Sequence, residues 1–376
     1  MVQWRDVLIC TVGTSLKTNL ERAEDPGIQK DIGRQNAKGL ALQLLKQQPH
    51  DRLCGAEINS ISSIVEHGYL NNPRKLVLLV SDTAEGKFIG QVLKLYYVNH
   101  NNPHCFTDVE VKTLEGLTDV EPQRFRTEGL RNLVRVIAQI VRQEGSEKIV
   151  VNATGGYKAQ ISFAGMIGQA LEIPVCYLFE RFSEVIELPP QPISLDMSFW
   201  LDNVDLFFAL AADEIQENPA RCDHRFGTLV DEIEVNNQKI ISLSPVGQLL
   251  HETFRRRFKL QRQFHLPPDT GINPQDKPIK YEDQNAKRLR GLFQYIEKLR
   301  ELPYVKRIYT HYFNPGLTVK NYFRQSATGK KSQIEGGYTD GKALIKFDLV
   351  TTATTESQRD SVLADLLESL DSKLFS

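Results

Sequence analysis

The stretch Val150-Val151-Asn152-Ala153-Thr154-Gly155-Gly156-Tyr157-Lys158 decides how this chain is read. An apolar run, Ile149 to Val151, enters two glycines and then a lysine at the mouth of a segment rich in small residues. Strand, glycine turn and helix start together present unpaired backbone N–H groups, which suits phosphate. A second turn, Thr11-Val12-Gly13-Thr14-Ser15, follows the apolar run Val7 to Cys10. Two such turns on one sheet point to a ligand carrying several phosphates. A lone Gly-Gly-Xaa-Lys also serves a tight turn with no ligand, so the surrounding pattern has to decide.

That pattern is an alternation of short apolar runs with helical stretches over residues 1–199. Strands are expected at Asp6–Cys10, Lys75–Ser81, Asp108–Leu114, Lys148–Asn152 and Pro174–Phe179, and helices near 31–47, 57–70, 84–98, 123–143 and 157–171. Leu76 to Val80 is apolar without alternation, as in a strand covered on both faces. The expected fold is therefore α/β, a doubly wound, Rossmann-like parallel sheet, with Ser183–Leu188 folding back onto its edge. Ligands of such sheets bind beyond the carboxyl ends of the strands. Both glycine turns fall there, and so does Ser81-Asp82-Thr83-Ala84-Glu85-Gly86-Lys87.

At 376 residues the chain has room for two or three domains, each with a core of its own. No apolar stretch approaches the ~20 residues needed to span a bilayer, and no cationic-then-apolar signal pattern opens the chain, so a cytoplasmic protein without membrane contact is expected. The five cysteines are Cys10, Cys54, Cys105, Cys176 and Cys222. They are odd in number and form no Cys-x-x-Cys pair, which implies reduced thiols and no zinc site. The net charge of −1 hides an asymmetry, because residues 285–350 hold 13 Lys+Arg against 5 Asp+Glu while the remainder holds 33 against 42. A basic segment on an acidic protein suggests a polyanionic partner for that segment, although charge runs are often only solvated surface.

Residues 200–265 change character. Helices at Leu206–Ala212 and Pro245–Phe258, with short strands over Asp231–Leu243 around Asn236-Asn237, fit a winged-helix module. Its Arg255, Arg256 and Arg257 are candidates to touch nucleic acid or to form a solvated helix end. Residues 266–284 read as a proline-rich linker. From 285 to 376 a helical stripe (Leu289, Leu292, Phe293, Ile296, Leu299, Leu302) precedes strands at Val305–Tyr312, Asn321–Ser326 and Lys342–Val350. A last amphipathic helix around Val362 to Leu370 completes a small α+β unit.

The N-terminal region resembles the CARF domains of CRISPR-associated ancillary proteins. The likeness is carried by Val12-Gly13-Thr14-Ser15-Leu16, Ser81-Asp82-Thr83-Ala84-Glu85-Gly86 and Asn152-Ala153-Thr154-Gly155-Gly156-Tyr157-Lys158, with Leu114-Glu115-Gly116-Leu117, Arg124-Phe125 and Gly129-Leu130. It covers about half the chain, and Leu229–Gln248 looks like the winged-helix module that often trails this domain. The resemblance implies a homodimer that binds a cyclic oligoadenylate, cyclic tetra-adenylate first, across its two-fold axis. Implied ligand-binding residues are Gly13, Thr14, Ser15, Leu16, Ser81, Asp82, Thr83, Glu85, Asn152, Ala153, Thr154, Gly155, Gly156 and Lys158. The ligand is an activator, and no cofactor or metal is implied. Some relatives also cut their ligand, a task for which Ser15 and Lys158 would be the pair.

Three effectors come into question for the C-terminal unit. A HEPN ribonuclease fails, because Arg262…His265 and Arg307…His311 do not have the Arg-x₄₋₆-His spacing. A PD-(D/E)xK nuclease would draw on Asp340, Asp348 and Lys346, yet no Glu/Gln-x-Lys occurs after residue 285. The better likeness is to RelE-type mRNA interferases, which implies metal-independent cleavage of mRNA on ribosomes. Candidate catalytic residues are Lys306, Arg307, His311, Lys320, Arg324 and Lys331, with Tyr309, Tyr312, Tyr322 and Lys330 beside them. The stretch Thr351–Arg359 departs from that family, since only Arg359 is basic and no tyrosine follows. The rival expectations are a winged-helix DNA-binding regulator controlled by the same ligand, and a ring nuclease that degrades it.

Overall fold

A computed structural model describes residues 4–179, 182, 184–189, 197–213, 216–217, 224–235, 238–282, 289–317 and 319–371. The chain divides into two compact units, the first of residues 1–193, 220–233 and 243–253, the second of 194–219, 234–242 and 254–376.

The first unit runs β1 (Val7–Thr11), α1 (Ser15–Glu21), α2 (Pro26–Gly33), α3 (Ala37–Leu44), α4 (Gly55–Glu66), β2 (Lys75–Ser81), α5 (Ala84–Tyr97) and β3 (Asp108–Leu114). A short α6 (Pro122–Arg124) passes through a π-helical turn, Phe125–Gly129, into α7 (Leu130–Glu144). Then follow β4 (Ile149–Asn152), α8 (Lys158–Leu171), β5 (Val175–Tyr177) and β6 (Ile186–Leu188). The strands lie in the order β3-β2-β1-β4-β5-β6. All neighbours are parallel except β6, which pairs antiparallel with β5 as the expected edge hairpin. Strand alternation sends Leu8, Cys10, Leu76, Leu78 and Val150 into one apolar layer with residues of α3, α4 and α5. Val7, Ile9, Val77, Leu79, Ile149 and Val151 enter the opposite layer with α7 and α8. Each of these strand residues is fully buried, which is why the runs show no polar alternation. The sheet is thus the doubly wound α/β sheet the sequence predicts. One helix divides differently: 31–47 breaks at Gln35, whose φ is +50°, and Asn36 caps α3 by accepting from Gly39 N at 3.1 Å.

In the second unit α9 (Ser198–Asp202) and α10 (Val204–Ala211) precede β7 (Gln216–Glu217). The residues of β8 (Val230–Val235), β9 (Gln238–Leu243) and α11 (Pro245–His265) are shared between the units. Asn236-Asn237 and Cys222 lie outside the described residues. Arg255 is buried against Glu368 and Asp371, each at 2.6 Å, and stacks over Phe208, so it is not a surface cation open to nucleic acid.

Next come β10 (Ile279–Tyr281), α12 (Leu292–Arg300), β11 (Val305–Pro315), β12 (Tyr322–Gln325), β13 (Gln333–Thr339), β14 (Ala343–Thr351) and α13 (Glu356–Asp371). They form one five-stranded sheet in the order β10-β11-β14-β13-β12. β10 arises within the proline-rich stretch and pairs parallel with β11, while the other neighbours are antiparallel. Ile308, Phe323, Ile334, Phe347 and Leu349 are buried on one face of this sheet. On α12, Leu292, Tyr295, Ile296 and Leu299 are buried, whereas Phe293 is 62% exposed and stands off the expected stripe.

Candidate functional site

β1 has β2 on one side and β4 on the other, so the strand order reverses there. Such a switch point opens a crevice at the carboxyl ends of the strands. The Gly13 turn leaves β1 and the Gly155-Gly156 turn leaves β4, and the two are packed backbone against backbone. A Cβ on Gly13 would lie 2.7 Å from Gly156 N, and one on Gly155 would lie 2.2 Å from Glu57 Oε1. Gly156 has φ +102°, a conformation that side chains resist. Thr11 Oγ1 donates to Gly155 O at 2.5 Å and binds the turns together.

Glu57, on α4, is absent from the sequence expectations and lies at the centre of this floor. Its carboxylate is fully buried, accepts from Gly13 N at 2.7 Å and lies 3.4 Å from Ser15 Oγ. Burial pushes its carboxyl above the usual glutamate range, and the Gly13 and Ser15 donors pull it back. The Gly13 N–H is therefore engaged within the chain. No hydrogen bond within the described residues engages the backbone N–H groups of Thr14, Gly155 or Gly156. Nearby, Gln160 is fully buried, its Oε1 accepts from Tyr157 N at 3.3 Å, and its Nε2 has no acceptor among the described residues. Lys158 stands exposed at the first residue of α8. Unengaged N–H groups, a helix N-terminus and a lysine are together equipped to receive an anion.

The other expected ligand residues divide into supports and rim. Leu16, Asn152 and Ala153 are buried and hold the turns from beneath. Asn152 Nδ2 donates to Ser60 Oγ at 2.7 Å, and its Oδ1 accepts from Thr154 N at 3.1 Å. Thr83 caps α5 by accepting from Gly86 N at 3.0 Å, with Ser81 Oγ 2.8 Å from its hydroxyl. Asp82 is paired with Lys87 at 2.8 Å, which holds its carboxyl below the usual range, and Glu85 is paired with Lys17. Tyr157 connects these groups, contacting Ser81 and meeting Phe125 edge-on at 5.3 Å. Phe125 begins the π-helical turn whose last residue, Gly129, abuts Gly116 and Leu117. The segments singled out in the sequence, distant along the chain, thus meet at one end of the sheet.

The second unit gathers a different set. Across its sheet the register aligns Tyr309, Asp348, Glu335 and Arg324 in one row and Tyr312, Lys346, Gly337 and Tyr322 in the next. A register shift between Thr310 and Tyr312 places His311 beside Asp348, with Nε2 and Oδ2 3.3 Å apart. Burial raises the Asp348 carboxyl and the Tyr309 phenol, whose oxygen accepts from Gln333 Nε2. The Tyr322 phenol is pushed up to about 12 by burial and by Glu335, which it meets at 3.1 Å. Glu335 also takes Arg324 at 2.6 Å and Lys346 at 3.8 Å. Of the six expected catalytic residues, this face holds Arg307, His311 and Arg324. Lys306 is exposed on β11 next to a second shift in register, and Lys320 is exposed ahead of β12. Lys331 is exposed between β12 and β13 and is 3.7 Å from Glu356. Asp348, Glu335 and Lys346 join the face by register, which a linear reading does not display. Asp340 is apart from them in the β13–β14 turn, where it accepts from Lys342 N and Ala343 N.

Comparison with known proteins adds a match over part of the chain. A model described as CRISPR-associated protein (Cas_APE2256) matches residues 52–191, which include Glu57, the Ser81–Lys87 turn and the Gly155-Gly156 turn. No curated protein matches. Among solved structures, this chain is similar to Can2 of Sulfobacillus thermosulfidooxidans in complex with cyclic tetra-adenylate, at 13% identity and TM-score 0.26, covering 69% of this chain and 68% of that one. It is also similar to Csm6 of Enterococcus italicus bound to cyclic hexa-2′-fluoro-hexa-dAMP, at 12% identity and TM-score 0.27, covering 70% and 56%. No helix among the described residues is long and apolar enough to cross a membrane.

Proposed function

We propose that this chain is a CARF-type ancillary effector of a type III CRISPR response: a cyclic-oligoadenylate sensor joined to a metal-independent endoribonuclease. The observation that carries this reading is the pair of abutting glycine turns at the β1/β4 switch point. The backbone N–H groups of Thr14, Gly155 and Gly156, which no described residue engages, and the exposed Lys158 beside them supply the donors for phosphates. The match of residues 52–191 to a CRISPR-associated family supports it, because two of the three segments at the crevice lie inside that range. The activating ligand is cyclic tetra-adenylate. Asp82, Thr83 and Glu85 at the rim are assigned to its bases and riboses, and the phosphates to the turns. A ring with repeated phosphates is best held by two copies of the chain about a two-fold axis, so the active species is a homodimer.

β8, β9 and α11 form a winged-helix-like spacer in this reading, and residues 285–376 form the RelE-like effector. The effector assignment rests on the order of helix, antiparallel strands and helix, and on the basic balance of the segment. Its substrate is mRNA on the ribosome. The ligand activates by binding one arrangement of the dimer more tightly than another, since equal affinity would shift nothing. The test combines the protein, cyclic tetra-adenylate and translating ribosomes and maps mRNA ends. New ends are expected only with the ligand. Ends that appear without it, or none at all, would remove the interferase reading.

A further inference from the structure

We propose that RNA cleavage is carried out on the open face of the β11-β14-β13-β12 sheet, with His311 as general base held by Asp348 and Tyr309 as general acid. This rests on the ribonuclease reading of the second unit and deepens it, moving the chemistry from the loop lysines to side chains that strand pairing assembles.

His311 Nε2 faces Asp348 Oδ2 at 3.3 Å, and Asp348 is 6% exposed. A carboxylate against Nε2 fixes the tautomer that carries its hydrogen there. The Nδ1 lone pair then points away, and no described group hydrogen-bonds to it. The same carboxylate also takes hydrogen bonds from Tyr309 and Ser326, so it anchors a cluster in which His311 is the one imidazole. The Tyr309 hydroxyl accepts from Gln333 and hydrogen-bonds to Asp348, so one carboxylate holds both the base and the acid. The ring centroids of Tyr309 and His311 are 6.3 Å apart. In-line displacement needs base and acid on opposite sides of phosphorus, and Tyr309 and His311 flank one patch of this face. Arg307 flanks the site, its guanidinium carbon 6.0 Å from the Tyr309 ring. On the far side Arg324 lies 5.4 Å from the Tyr322 ring, a pairing that suits a stacked base.

The step balances without an oxidant or co-reactant. His311 Nδ1 takes the proton of a ribose 2′-hydroxyl, and the 2′-oxygen forms a bond to the adjacent phosphorus. The bond from phosphorus to the 5′-oxygen breaks with its electron pair on that oxygen, which takes the Tyr309 proton. The products are a 2′,3′-cyclic phosphate and a 5′-hydroxyl, and exchange with water resets both side chains. Asp348 is a positioning residue, because it acts through His311.

The experiment uses the full chain with cyclic tetra-adenylate and translating ribosomes. His311→Ala should lower kcat by about 10²–10⁴-fold, with melting temperature kept and activity partly restored by added imidazole. Asp348→Asn should lower kcat by about tenfold or more while leaving KM unchanged, and Tyr309→Phe should slow release of the 5′-hydroxyl end. Wild-type cleavage that survives His311→Ala would overturn this assignment and leave the ribonuclease reading standing. A wild type that cleaves nothing would overturn both.

Discussion

The two candidate sites are built in opposite ways. In the first unit the working groups are backbone N–H donors, made available because Gly13, Gly155 and Gly156 let two turns touch. In the second they are side chains projecting from four strands, made neighbours by register. A backbone site tolerates almost no added atom but survives many side-chain changes around it. A side-chain site is the reverse, since strands accept varied residues and chemistry depends on a few of them.

Glycine substitutions test that contrast most severely. Gly155→Ala would bring a Cβ within 2.2 Å of Glu57 Oε1 and 2.6 Å of Thr11 O. It should cost about 1–3 kcal/mol of stability and abolish ligand binding by calorimetry. Gly336→Ala would press on the Phe347 ring at 2.3 Å and should cost a similar amount, yet leave binding intact. If both variants bind normally, the turns are not the ligand's seat. Next in size, Lys158→Ala should weaken binding by about 10–100-fold, with a shallower salt dependence.

Glu57→Gln sharpens the comparison, because it alters charge without altering shape. Glu57 holds its proton more tightly in the folded chain than in the unfolded one. Its contribution to stability is therefore full below the ordinary glutamate range near ~4.3 and is lost as pH rises through the folded value. The Gln variant should lose that pH dependence in thermal melts. It should also bind the anionic ligand up to about tenfold more tightly, since an opposing charge has been taken from beneath the phosphates. Smallest of all, Lys331→Ala removes only an exposed pair with Glu356 at 3.7 Å and should change stability by less than about 0.5 kcal/mol. A loss of RNA cleavage comparable to that of His311→Ala would return the chemistry to the loop.

The same contrast explains what could be read from the chain. Uninterrupted apolar runs such as Leu76–Val80 and glycines at their ends announced the sheet and its crevice, because both signals are local. Glu57 gives no signal: an acidic residue in the first turn of a helix is ordinary, and only folding puts it under Gly13. β13 carries no strand signal, because Gln333-Ile334-Glu335-Gly336-Gly337 lacks alternating apolar residues. Its glycines are there for the Phe347 and Tyr322 rings. Arg307, His311, Arg324 and Asp348 stand out by residue type, whereas Glu335 acquires meaning only through strand pairing.

The parallel strand at Ile279–Tyr281 has a practical consequence. It lies along the outer border of β11, and Lys277 fastens it further by donating to Leu302 O at 2.7 Å. A long sheet border left bare invites another chain to pair with it, and the three residues of β10 offer far less of one than the eleven of β11. Any shortened protein meant to isolate the effector should begin upstream of Lys277; one begun at residue 285 would leave that border unsealed and should clump at modest concentration.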